Sequence, residues 1–229
     1  DFLVHAASQA SPKYYGVDPV GTLLPNTVGT INLLRFAQAK SVESFLFFSS
    51  SEVYGSLGHN IEYLKENDFG YLNPTDLRSC YSESKRLGET ACVSWSHQHA
   101  VPAKIVRPFH TYGPGMSLDD GRVYADFVAA VLAGEDIVLN SDGSAVRSFC
   151  YLADATIAFF IVLLNGEVGE AYNVGNPKSE ISIFDLAKKV ASIFPEKKIS
   201  VRRKDKHKEG YLKSGVKKNC PDLAKIGVL

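Results

Sequence analysis

The chain of 229 residues is 45% hydrophobic and 22% charged, the balance of a soluble globular protein with one or two domains around a real core. Lys and Arg number 25, as do Asp and Glu, so there is no global basic field to gather nucleic acid or a membrane surface. No apolar run is long enough to span a bilayer and no leader pattern opens the chain. Cys80, Cys92, Cys150 and Cys220 lack ligand spacing, which argues against a metal site or disulfides and for a reducing cytoplasm.

In chain order, residues 1–7 form a short apolar run ending in small residues, the pattern of a buried parallel strand. Residues 19–40 place Leu23, Val28, Ile31, Leu34 and Phe36 at roughly helical spacing. Residues 44–51 read as a second buried strand that turns polar at its C-terminal end. A loop rich in Gly, Asn and Pro covers 55–79, a helix 81–99 and a third strand 103–109. This alternation implies a parallel sheet covered on both faces. Beyond residue 115 the spacing predicts a helix over 122–132, strands over 136–140, 147–152 and 171–175, and helices over 154–164 and 183–194 capped by Asp154 and Ser182. The Lys/Arg-dense stretch 202–218 reads as a solvated surface.

In such sheets ligands bind at the carboxyl ends of the strands. Three strand ends carry unusual residues: Ala6, Ala7 and Ser8; Ser49, Ser50, Ser51 and Glu52; and Arg107 with Pro108. Tyr81 and Lys85 lie four apart near the start of a helix, so they share a face one turn apart. A free tyrosine titrates near pH ~10, and a neighbouring ammonium favours the phenolate, which makes the pair suited to taking a proton from an alcohol. The Tyr-x-x-x-Lys spacing alone is weak, because eleven tyrosines produce chance matches. Ser50, at a strand end 31 positions earlier (81 − 50), supplies a hydroxyl that can hold the same alcohol. The plainer alternative for Ser50 is a serine that only caps the next turn.

Six stretches in this order, HAA at 5–7, NTVGTINLL at 26–34, SSSEVYG at 49–55, YSESKR at 81–86, RPFHTYGP at 107–114 and RSFCYLAD at 147–154, carry a resemblance to a known family. The chain resembles the extended short-chain dehydrogenase/reductases, in particular their nucleotide-sugar epimerases, dehydratases and decarboxylases. Through ASQASP at 7–12 and DGRV at 120–123 it looks most like the UDP-glucuronate decarboxylases. The fold implied is α/β: a Rossmann-like doubly wound parallel sheet without its first βαβ units, and a smaller interleaved α/β substrate-binding domain. Residues 1–112 would be the C-terminal part of the NAD-binding domain and 113–229 mainly the substrate region, with about 149–176 returning to the sheet.

The resemblance implies NAD as cofactor, held by Ala6, Ala7, Ser8, Asn26, Ser49, Tyr81, Lys85 and Pro108. It implies Tyr81 as the base at the sugar C4 hydroxyl, Lys85 as the residue that holds the nicotinamide ribose and lowers the Tyr81 pKa, and Ser50 as the group orienting the hydroxyl. Ser51 and Glu52 occupy the positions that decide the fate of the 4-ketone, and a carboxylate at 52 suits dehydration or decarboxylation over simple 4-epimerisation. His110, Arg122, Val123 and Arg147 are the implied contacts to a nucleotide sugar, most naturally a UDP-sugar. Without the family, each arginine reads equally well as part of a surface ion pair. A homodimer through helices 19–40 and 81–99 is also implied.

The chain departs from the family pattern in three places. The glycine-rich G-x-x-G-x-x-G turn is absent, because the sequence starts at what looks like the fourth strand, so a fragment is expected. His110 stands where the family places Asn beside the substrate phosphate. Asn219 stands where decarboxylases carry an arginine. A non-catalytic binding module is the reading of another class, favoured by the missing turn and opposed by the joint presence of Ser50, Tyr81 and Lys85. Reduction of small carbonyls is discouraged by the two arginines.

Overall fold

The computed structural model describes residues 1–58, 61–203 and 216–229. The opening apolar run forms β1 (Phe2–His5), followed by α1 (Pro19–Leu24) and α2 (Thr30–Lys40). The two helices are joined without a break by a π turn, Pro25–Gly29. Pro25 has no N–H to give the preceding turn, so the ladder widens there. The amide of Asn26 donates instead to the Thr22 carbonyl at 3.0 Å. Then come β2 (Ser44–Phe48), α3 (Ser79–His99) and β3 (Ala103–Pro108). The C-terminal region contributes β4 (His110–Tyr112), α4 (Val123–Ala133), β5 (Ile137–Leu139), β6 (Val146–Tyr151), α5 (Leu152–Asn165) and β7 (Ala171–Val174). It ends with β8 (Glu180–Ser182), α6 (Ile183–Ser192), β9 (Val201–Arg203) and β10 (Lys218–Asn219).

Strands β1, β2, β3 and β7 form one parallel sheet in that order, as expected of strands separated by helices. Alternation along β2 divides its side chains between two cores. Phe45 and Phe47 pack with Leu34, Ala37, Ala91 and Cys92 of α2 and α3. Leu46 points the other way, with Val106, Tyr172 and Val174, against Ala155, Val162 and Leu163 of α5. A third core gathers Phe127, Val131, Ile137, Leu139, Phe149, Leu186 and Val190 from α4, β5, β6 and α6. There β6 pairs in parallel with β4 and β10 and antiparallel with β8, while β5 pairs with β9.

Several local expectations change. Helix α3 begins at Ser79, because Asp76 turns the chain by accepting from the Arg78 N–H at 3.0 Å and Ser79 donates to the Asn73 carbonyl. Asp154 is not the cap of α5: Tyr151 holds that position, β6 runs directly into the helix, and Asp154 lies in the first turn, where the helix dipole favours its charge. Ser182 caps α6 as expected, accepting from Asp185 N at 3.0 Å. The short strands β8, β9 and β10 have too few residues to show a period in sequence. In the basic stretch 202–218, Arg202 pairs with Asp136 and Lys218 with Glu180, each at 2.8 Å, and residues 204–215 lie outside the described residues. Among the described residues no helix is long and apolar enough to cross a membrane.

The inner face of α3 is lined by small residues, Ser84, Gly88 and Ala91, which let the helix approach the sheet closely. A Cβ at Gly88 would fall well inside contact distance of the ring of the fully buried Phe47. Gly88→Ala is therefore expected to destabilise the protein by about 1–3 kcal/mol through overpacking. Helix propensity alone predicts the opposite sign, a gain of about 1 kcal/mol. The urea midpoint of the variant decides between them.

Candidate active site

The carboxyl ends of β1, β2 and β3 lie side by side, since His5 is in register with Phe47 and Phe47 with Ile105. Where β2 ends, Ser50 stays extended and its hydroxyl accepts from the Glu52 N–H at 3.2 Å, which starts the short turn Ser51–Tyr54. Ser50 thus caps the turn, and its hydroxyl lies close enough to the Tyr81 phenol to favour the phenolate. Tyr81 lies in the first turn of α3 and is buried. One turn further along, the Lys85 ammonium donates to the Phe48 carbonyl at 2.6 Å.

The electrostatics differ from the sequence expectation. Burial raises the Tyr81 pKa above its ordinary value. The neighbouring Ser50 hydroxyl and the positive charge of Arg122 oppose this rise, while the Glu52 carboxylate adds to it. Lys85 lies 5.7 Å from the Tyr81 ring centroid, with its ammonium turned to the backbone carbonyl of Phe48. Burial pushes Lys85 itself down from 10.5 to about 7, against the pull of Glu89. The ammonium can therefore shed its proton near neutrality.

Around this centre, Glu52 accepts from the Arg78 guanidinium at 3.2 Å. Tyr15 stacks on Tyr81 with ring centroids 5.0 Å apart and planes at 15°. Ser51 accepts from the amide of Asn219 at 3.1 Å, and the Asn219 carbonyl oxygen is buried without a partner. Ser49 donates to Glu89 at 2.5 Å, and Glu89 is held by Arg107 at 2.7 Å. Asn26 is fully buried behind α3, where it donates to the Ser84 hydroxyl at 3.1 Å. Ala6 and Ala7 are exposed just beyond β1, the Ser8 hydroxyl is buried without a partner, and Pro108 closes β3.

The expected substrate contacts lie on β4, β6 and the start of α4. His110 sits against Phe149, and burial, with Arg147 and Arg122 nearby, pushes its pKa down to about 3, so the ring is neutral. Its Nε2 is buried without a partner. Arg122 pairs with Asp120 at 3.1 Å and donates to the Ala10 carbonyl at 3.2 Å. Arg147 donates to the carbonyls of Val146 and Val216 at 2.8 and 2.9 Å. Val123 begins α4 and packs into the third core. Among the described residues no group of His, Cys, Asp and Glu is arranged to hold a metal ion.

Sequence reasoning passed over Tyr15, Arg78 and Glu89. Glu89 follows Lys85 by four and Arg78 precedes Tyr81 by three, so helical spacing could have found both. Nothing in the sequence marks Tyr15, which comes from a separate loop.

A family model for the NAD dependent epimerase/dehydratase family matches residues 1–175. UDP-glucuronic acid decarboxylase 3 of Arabidopsis thaliana is 39% identical over 193 residues, covering 84% of this chain and 55% of that protein. UDP-glucuronic acid decarboxylase 1 of Xenopus tropicalis is 36% identical, covering 84% of this chain and 45% of its own length. The chain thus spans about half the length of these relatives. Among solved structures, UDP-N-acetylglucosamine 4-epimerase from Methanobrevibacter ruminantium superposes with a TM-score of 0.85 at 23% identity, covering 99% of this chain and 69% of that one. An NAD complex of dTDP-glucose 4,6-dehydratase from Bacillus anthracis gives 0.79 at 21% identity, covering 100% and 65%. These two likenesses establish the fold, a Rossmann-type α/β sheet.

The lowered Lys85 pKa has a measurable consequence. Between about pH 7 and 10.5 the unfolded lysine binds a proton that the folded one does not, so its contribution makes stability rise with pH in that window. Lys85→Met should remove up to about 1.4 kcal/mol of that rise per pH unit. Urea unfolding of both proteins at pH 7.5 and 9.5 checks this, the expected result being a gap between variant and wild type that narrows as pH rises.

Proposed function

The chain belongs to the NAD-dependent epimerase/dehydratase family, and on that premise we propose that the full protein oxidises the C4 hydroxyl of a nucleotide sugar and then decarboxylates or dehydrates the 4-keto product. The observation that carries this reading is the convergence of Ser50 at the end of β2 and Tyr81 in the first turn of α3, with Lys85 one turn deeper on the Phe48 carbonyl and Glu52 on the same turn as Ser50. Ser50 orients the sugar hydroxyl and Tyr81 takes its proton. NAD, when bound, supplies the hydride acceptor for C4 and the means of returning the hydride.

The chain's residues fit that cofactor. Small side chains at Ala6 and Ala7 leave room beyond β1, and the unpartnered Ser8 hydroxyl offers a hydrogen bond. Lys85 spends one of its three N–H donors on Phe48, leaving two for a ribose diol. Ser49, Tyr81 and Pro108 border the same strand ends, and Asn26 supports α3 from behind through Ser84. Arg122, Arg147 and the neutral His110 supply cations and a hydrogen bond for the substrate diphosphate, with Val123 beside them.

After oxidation the 4-ketone acidifies C5. Glu52 is the carboxylate placed to serve that position, and Ser51 with Asn219 shapes the wall beside it. The identity to UDP-glucuronic acid decarboxylases favours loss of carbon dioxide. The uncharged Asn219 amide, with no counter-charge for a carboxylate, favours loss of water. A 4-epimerase is the second reading within this chemistry. Exposed Val20, Leu24, Val28 and Phe36 on the 19–40 helical run, and Leu87 and Val93 on α3, support a homodimer through those helices.

The test is a panel of UDP-, dTDP- and GDP-sugars incubated with the full-length gene product and NAD, read by mass spectrometry. Loss of 44 mass units (roughly, carbon dioxide) identifies a decarboxylase, loss of about 18 a dehydratase, and an unchanged mass with altered retention an epimerase. Tyr81→Phe should lower kcat by about 10²–10⁴-fold, the range for losing a positioned acid–base group. A Tyr81→Phe protein as active as wild type would sink the proposal.

A further inference from the structure

Arg78 contacts no expected cofactor or sugar residue except Glu52, yet its surroundings are built around it. Its backbone is held by Asp76 one step before α3, and Tyr81 comes within the first helical turn. Its guanidinium meets Glu52 at 3.2 Å and lies over the ring of Tyr15, 5.7 Å from the centroid. Tyr15 is almost wholly buried, donates its hydroxyl to the Ala10 carbonyl at 3.0 Å, and stacks on Tyr81. Three segments distant in sequence therefore meet here: Tyr15, Glu52, and the start of α3 with Arg78 and Tyr81.

We infer that Arg78 is a positioning residue that holds Glu52 beside the sugar C5. This inference rests on the reading of Glu52 as the group serving C5. A planar fork suits this setting, since it can donate to a carboxylate while lying over an aromatic ring. Lysine could keep the charge but not the fork. Both partners of the pair are mostly shielded from water, so the contact is less screened than an open surface pair.

The consequence is a division between the two halves of the reaction. Oxidation at C4 depends on Ser50, Tyr81 and Lys85, whereas the side-chain contacts of Arg78 go to Glu52 and Tyr15. Chemistry at C5 depends on where Glu52 points. In the full-length protein with NAD, Arg78→Met should leave single-turnover NADH formation, followed at 340 nm, within about 3-fold of wild type. Product formation should fall about 10–100-fold, the scale of a displaced catalytic group. Arg78→Lys should recover part of the loss. In a Glu52→Gln background, Arg78→Met should add less than about 3-fold, since the two act as a unit.

An equal loss in both steps, or a raised KM at unchanged kcat, would assign Arg78 to general structure or direct substrate binding and overturn the inference. Unchanged product formation would overturn it as well. If Arg78→Met does not fold, Arg78→Lys carries the test, with oxidation preserved and product formation slowed as the expected result. A wild-type protein that never reduces NAD with any sugar of the panel would sink the proposed function and this inference together. Normal wild-type reduction with an unselective Arg78 effect would sink only the inference.

Discussion

The arrangement of the site depends on one buried ion pair. Glu89, one turn beyond Lys85 on α3, accepts from Nε and Nη2 along one edge of the Arg107 guanidinium, at 2.9 and 2.7 Å, where β3 is about to end. The same carboxylate accepts from Ser49, and the same guanidinium reaches the hydroxyl of Tyr54 at 3.1 Å, which in turn donates to Asn173 of β7 at 2.6 Å. Helix, serine turn and two strands are thereby tied at one point. Removing one partner of such a pair strands a buried charge at a cost of about 3–5 kcal/mol. The pair adds to stability less than it adds to registry, because hydrophobic replacements of buried pairs are often neutral. Its contribution here is the rotation and height of α3 against the sheet, which place Tyr81 opposite Ser50.

A second constraint is burial at the helix–sheet seam. Small residues let α3 settle onto Phe47, and that closeness brings the Lys85 ammonium to the Phe48 carbonyl. The proximity that positions Lys85 also desolvates it, and the same low-polarity setting raises the Tyr81 pKa.

The departures from the family pattern also gain physical content. Asn219 on β10 is in register with Arg147 and bonds Ser51, so this neutral amide forms part of the wall next to Glu52. His110 is a neutral ring with one buried nitrogen unpaired, set between two arginines. Both positions hold hydrogen-bonding groups without charge of their own.

The amino-acid sequence by itself determined the parallel strands, the helices between them, and the set of residues at the strand ends. Period and polarity reversal are local properties, so they survive in a linear reading, and the four-residue step from Tyr81 to Lys85 already implies a shared face. The tertiary structure alone decided which of those residues meet. Ser50 and Tyr81 come together because Glu89 and Arg107 dock α3, Tyr15 enters from a loop 66 positions before Tyr81 (81 − 15), and Asn219 reaches Ser51 across 168 positions. It also added what the spacing does not carry: burial raises the Tyr81 pKa and lowers that of Lys85, whose ammonium a backbone carbonyl holds.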